Sequence, residues 1–263
     1  MFKHRLVSLA ITLAALLPLA QAQVVQNVVD IQTRPGVTQR QLLLEPAAPK
    51  ATVLLFAGGH GGLRLLPNGS LQWGVGNFLI RSRQLFANEG LLVAVIDTPS
   101  DRQTPPYLGG FRQRPEHAAD IKAVIAWLRQ RAKLPVWLVG TSAGTWSVGY
   151  AATEVSGAEA PDGIVLSATI TNHDKFRPVT GMPLERIRLP VLLVHHENDE
   201  CPRTRFADMP ALLDRLSNAP KKQLLAFNGG HNRGDPCEAM AHHGFNDLER
   251  DVVRQTVAWI LAP

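Results

Sequence analysis

The sequence predicts an α/β domain, a mostly parallel central sheet with helices on both faces. Three observations carry this. Strand-like and helix-like segments alternate from residue 39 to the end of the chain. The run 91–96 (Leu-Leu-Val-Ala-Val-Ile) is the apolar, β-branched kind that a strand buried on both faces requires. Residues able to carry chemistry collect just past the strand-like runs, where sites in such sheets lie. They are the Gly-rich stretch 58–62, Asp97, Ser142, Asp199 and the loop after Phe227.

The elements follow in order. Residues 39–45 and 51–57 read as the first strands of the body, split by a Pro-containing turn. Residues 77–88 read as a helix, with Gly90 placed as its stop. After the strand 91–96, Ala119, Ala123, Ala126 and Trp127 recur at helical spacing within a helix 116–131. A strand 135–139, a tight turn 140–144 and a helix to about residue 155 come next. Strands at 163–166 and 191–195, a helix 205–216, a strand 223–227 and a last helix 248–261 complete the chain.

Residues 1–22 read as an export signal and 23–263 as one domain. Lys3, His4 and Arg5 form a basic start, and residues 6–20 are apolar apart from Ser8 and Thr12. Ala20-Gln21-Ala22 fits a cleavage site. The apolar run falls short of the ~20 residues a spanning helix needs, so an uncleaved anchor is the lesser reading. No Cys follows the run to take a lipid. The expectation is a periplasmic or secreted protein with no membrane span after cleavage. Roughly 240 residues, with 45% of the chain apolar, suffice for a two-sided core. The net charge of +5 is modest and the arginines are dispersed, which does not make a nucleic-acid groove. The two cysteines, Cys201 and Cys237, are expected to pair in an exported chain. Neither sits on a turn that would expose a thiol nucleophile.

Gly140-Thr141-Ser142-Ala143-Gly144 spells G-x-S-x-G between a strand and a helix. A sharp turn there lifts the serine above the sheet, and small neighbours let the backbones pass closely. A serine hydroxyl needs a base to take its proton and an acid to orient that base. Asp199, after the strand 191–195, is the expected acid, with Glu197 and Glu200 as nearby rivals. Two histidines compete as base. His231 directly follows the last strand, and His243 precedes the last helix. Each lies six residues from Cys237, so spacing alone does not choose. Backbone N–H groups for a developing oxyanion are expected from Ala143 and from the Gly-rich loop near Gly59 and His60. That loop lacks the Gly-Lys-Ser/Thr of a phosphate cradle and the pattern G-x-G-x-x-G. Among the nine histidines, His195-His196 with Asp199, or His242-His243, are conceivable metal ligands. Adjacent strand residues point to opposite faces, however, and H-E-x-x-H is missing.

With these motifs in the order Ser…Asp…His, the chain resembles the α/β-hydrolase fold family over its whole mature length. More narrowly it is similar to exported bacterial hydrolases related to dienelactone hydrolases. In those the base is often followed by Gly and an aromatic, as in His243-Gly244-Phe245, and this resemblance favours His243 over His231. It implies a carboxylesterase using Ser142, His243 and Asp199, with a small-molecule ester as substrate and no cofactor or metal. A peptidase or amidase with the same triad, or a non-catalytic ligand-binding member of the fold, are the alternatives. Only residues 167–190 separate two of the strands, leaving little room for a large lid. Trp73, Trp146 and Tyr107 are candidate pocket walls.

Overall fold

The computed structural model describes residues 24–262, so the export segment expected at 1–22 lies outside the described residues. One eight-stranded sheet forms the centre. Its strands are β1 (Val25–Arg34), β2 (Val37–Glu45), β3 (Ala51–Phe56), β4 (Leu91–Pro99), β5 (Val136–Thr141), β6 (Gly163–Ser167), β7 (Val191–His196) and β8 (Lys222–Phe227). They lie in the order β1-β2-β4-β3-β5-β6-β7-β8. The two hairpin-side pairings, β1 with β2 and β2 with β4, are antiparallel. All the others are parallel. Helices α1 (Phe78–Asn88), α2 (Pro115–Ala132), α3 (Gly144–Glu154), α4 (Met209–Arg215) and α5 (Glu249–Leu261) cover the sheet.

Strand alternation divides the core in two. Leu92, Ala94 and Ile96 of β4 face α2 and α3 and pack with Ile121, Val124, Leu128 and Val148. Leu91, Val93 and Val95 face the other way, toward Phe86 of α1 and Val253 and Val257 of α5. Both faces of the strand are therefore dry, as the unbroken apolar run required. Among the described residues no helix is long and apolar enough to cross a membrane.

Three boundaries differ from the sequence reading, each for a local reason. Strand β1 was not expected. It is a polar edge strand in which only Ile31 is buried, so no alternation marks it. Asp97 lies inside β4 rather than after it. Its buried carboxylate accepts the N–H groups of Leu63 and Leu65, both at 2.8 Å, and so extends the strand while pinning the chain that follows the Gly-rich loop. Helix α4 begins at Met209 rather than residue 205, because Pro210 donates no N–H and is tolerated only in a first turn. Gly90 is the expected stop of α1, with φ of +87°.

The chain leaves β3 for β4 on one side and reaches β5 on the other. The carboxyl ends of β3 and β5 are thus neighbours at the point where strand order reverses, and their two loops meet there.

Candidate active site

Strand β5 ends at Thr141, and Ser142 turns the chain into α3 with φ of +51°, a left-handed value that costs a non-glycine residue energy. The turn is held from both sides. Ser142 N–H donates to Ser167 O at 3.0 Å, and Ser142 O accepts from Thr145 N–H at 2.9 Å and from Thr145 Oγ1 at 2.6 Å. The flanking glycines are required by close approach. A Cβ on Gly144 would stand 2.1 Å from Phe56 O, and one on Gly140 would stand 2.6 Å from Gly144 O.

Asp199 follows β7 and is buried. Its Oδ1 accepts Cys201 N–H at 3.0 Å, and its Oδ2 accepts Thr204 Oγ1 at 2.9 Å and His243 Nδ1 at 3.0 Å. His195 Nε2 lies 3.4 Å from the same oxygen while bonding Thr204 O at 2.8 Å. Burial alone would raise the Asp199 carboxyl, but hydrogen bonds from His195 and His243 outweigh it and hold the group well below the ordinary carboxylate range. Nδ1 of His243 meets a carboxylate that only accepts, so this nitrogen is the donor of the bond.

The two histidines end up in different places. His243 is buried against Asp199 and lines one cavity with Ser142. His231 projects outward, its side chain 71% exposed, and its Nδ1 pairs with Asp247. Glu197 and Glu200 are exposed and take hydrogen bonds from Asn228 and Asn232. The His243 loop is anchored by Phe245, fully buried against Phe78 with ring centroids 4.9 Å apart. Arg81 adds a second anchor by donating to Gly244 O and Ala239 O. Gly244 permits the bend, since a Cβ there would lie 1.9 Å from Ala239 O. No hydrogen bond joins Ser142 Oγ to His243, although both line the same cavity.

The cavity measures about 510 Å³. Its walls include Gly58, Gly59, Ser142, Ala143 and His243, together with the bonded pair Cys201–Cys237. The expected disulfide is thus present, and it ties the Asp199 loop to the His243 loop. Gly58 abuts the serine: a Cβ there would lie 3.0 Å from Ser142 Cβ. The N–H groups of Ala143, Gly59 and His60 have no acceptor among the described residues. The His60 ring is turned away, stacked between Trp73 (3.8 Å) and Tyr107 (4.4 Å), and its Nδ1 accepts Gly62 N–H. Trp73 and Trp146 line the cavity as expected, whereas Tyr107 is not among its walls. Residues 167–190 form only two short turns, Val179–Gly181 and Leu184–Arg186, and no helical lid.

His195 and His196 point to opposite faces of β7. The first contacts Thr204, and the second stacks on His242 at 4.3 Å. Sequence reasoning missed Thr204 as a partner of Asp199, since it carries no motif, and set His195 beside Asp199 only as a conceivable metal ligand. It also missed a buried group behind the Gly-rich loop. Arg112 donates to Ala57 O (3.0 Å), Gly59 O (3.1 Å) and Ser147 Oγ (2.9 Å), and His117 Nε2 meets the same Ser147 Oγ at 2.9 Å. Burial pushes the Arg112 guanidinium down to about 9. Burial, and then the charges of Arg112 and Arg34, push the His117 imidazole down to about 3.

No protein-family model matches the sequence, and no curated protein matches it. Solved structures match in fold. An esterase of Pyrococcus furiosus, Pf2001, aligns with a TM-score of 0.64 at 13% identity, covering 90% of this chain and 91% of its own. A dienelactone hydrolase from Anabaena variabilis aligns at 0.61 and 18% identity, covering 91% and 98%. A cold-adapted esterase from an Arctic intertidal metagenomic library aligns at 0.57 and 15% identity, covering 92% and 94%. The strand order, the turn at Ser142 and these full-length alignments agree: this chain takes the α/β-hydrolase fold.

Proposed function

We propose that the protein is a serine hydrolase that cleaves carboxylic esters through an acyl-enzyme. One observation carries the reading: Ser142, raised on a left-handed turn, shares a cavity with a histidine whose Nδ1 is bonded to a buried carboxylate. In this reading Ser142 Oγ attacks the acyl carbon while His243 Nε2 takes its proton. Asp199 fixes the tautomer and stabilises the imidazolium. The free N–H groups of Ala143 and of the Gly59–His60 segment receive the negative oxygen. The tetrahedral species collapses, the alcohol leaves with the proton from His243, and water repeats the sequence on the acyl-serine. His243, rather than His231, is the base.

The names of the fold relatives, esterases and a dienelactone hydrolase, favour an ester over a peptide bond. The unlidded cavity favours small or medium esters. The N-terminal signal pattern and the disulfide support a periplasmic or secreted location. The test is turnover of a short p-nitrophenyl ester by Ser142→Ala. The expected loss is ~10³-fold or more with the circular dichroism unchanged. A folded mutant that keeps its rate removes the proposal.

A further inference from the structure

We infer that Arg112 is the positioning residue of the oxyanion loop: its guanidinium holds the Ala57 and Gly59 carbonyls so that the N–H groups beyond them face the Ser142 cavity. The inference rests on the acyl-transfer role proposed for Ser142. Arg112 is only 4% exposed, and no carboxylate lies within 4 Å of it among the described residues. A buried cation without a counter-charge is costly. Here its partners are all neutral, namely two main-chain carbonyls and the Ser147 hydroxyl. A planar fork suits that task and an ammonium does not, because one fork spans acceptors that a point charge cannot serve together.

Peptide geometry turns this contact into a statement about the site. In a trans peptide the C=O and the N–H point in opposite directions. The Ala57 carbonyl shares its peptide with the Gly58 N–H, and the Gly59 carbonyl shares its peptide with the His60 N–H. The walls of the Ser142 cavity include Gly58 and Gly59 but not Arg112, which lines a second cavity that shares Gly59 and Trp146 with the first. Carbonyls drawn toward Arg112 therefore aim their N–H groups toward the serine. The His60 N–H is among those with no acceptor among the described residues. Hydrogen bonding to a cation also polarises these peptides and strengthens their N–H groups as donors. Gly61 makes room for the arrangement, since a Cβ there would stand 2.6 Å from Arg112 Nη2. Ser147, on the second turn of α3, locks the other end of the fork and is itself held by His117. The helix that begins at the nucleophile thus carries the clamp for the loop opposite.

The test compares wild type with Arg112→Lys, which keeps the charge and loses the fork. Complete labelling with a fluorophosphonate counts the competent serines. The kinetic constants for p-nitrophenyl butyrate are then expressed per labelled serine. A positioning role predicts the wild-type labelling endpoint, a kcat per labelled serine lower by about 10- to 100-fold, and KM within threefold. A merely structural role would lower the endpoint or the melting temperature and leave kcat per labelled serine unchanged. That result, or a change confined to KM, overturns the inference. If Arg112→Lys does not fold, Ser147→Ala decides, because it frees only one end of the fork. A three- to tenfold loss of kcat per labelled serine supports the inference, and an unchanged value overturns it. If wild type hydrolyses no ester, the proposed function falls and this inference with it. An active wild type with an unaffected Arg112→Lys overturns this inference alone.

Discussion

Removing the Cys201–Cys237 bond should weaken the fold far more than the chemistry. The perturbation is the double variant Cys201→Ala/Cys237→Ala, which leaves no lone thiol. The bond closes a loop with a sequence separation of 36. Loop-closure entropy for that length is about 13 cal/mol/K, or about 4 kcal/mol at 25 °C. In a domain of this size each kcal/mol corresponds to roughly 2–4 °C, so the melting temperature should fall by about 8–16 °C. The effect on catalysis should be smaller. His243 keeps its bond to Asp199, Phe245 remains buried, and Arg81 still grips Gly244 O and Ala239 O. Asp199 also keeps the Cys201 N–H, which is main chain. At 20 °C kcat should therefore fall by less than about tenfold. Thermal unfolding followed by circular dichroism, paired with ester turnover, measures both. A melting temperature lowered by less than about 3 °C would refute the entropic argument. Complete loss of turnover in a folded double variant would refute the claim that Phe245 and Arg81 hold the His243 loop.

Other expectations concern pH and the turn. His117 stays neutral in the fold to about pH 3, while in the unfolded chain it takes a proton below about 6.5. Its contribution is complete above pH 6.5 and is lost as pH falls toward 3, amounting to about 2 kcal/mol at pH 5. Urea unfolding at pH 7 and pH 5 should show wild type losing that much more stability than His117→Phe, and equal losses would contradict the assignment. Gly144→Ala should destabilise by roughly 3 kcal/mol or more, because its methyl meets the Phe56 carbonyl. Gly36→Ala, with φ of +72° and no neighbour within 4 Å, should cost only about 1 kcal/mol. Similar melting temperatures for the two variants would undo the close-approach argument.

What could be read from the sequence was what repeats or carries a local signature. The apolar run of β4 and the glycines bracketing Ser142 respond to constraints within a few residues, whereas the strand order came only from the structure. Edge strand β1 escaped because an edge needs little apolar alternation, and Ile31 alone is buried in it. Asp199 was singled out as the candidate acid by its place after β7. Its contacts with Thr204 and His195 were not legible, since only the fold of that loop brings them to the carboxylate. The two histidines were separable only in three dimensions, where Phe245 draws His243 inward and Asp247 holds His231 outside. Arg112 looked like one of many dispersed arginines. Its burial is a tertiary fact with no trace in composition.

In the proposed chemistry Ser142 is a nucleophile activated by His243 and Asp199. Labelling with a fluorophosphonate, with the adduct located by peptide mass spectrometry in wild type, His243→Ala and His231→Ala, tests it most directly. A single adduct on Ser142 is expected. Its rate of formation should be lower by about 10³-fold or more in His243→Ala and within about threefold of wild type in His231→Ala. An adduct on another residue, or a labelling rate that collapses in His231→Ala and survives in His243→Ala, would contradict it.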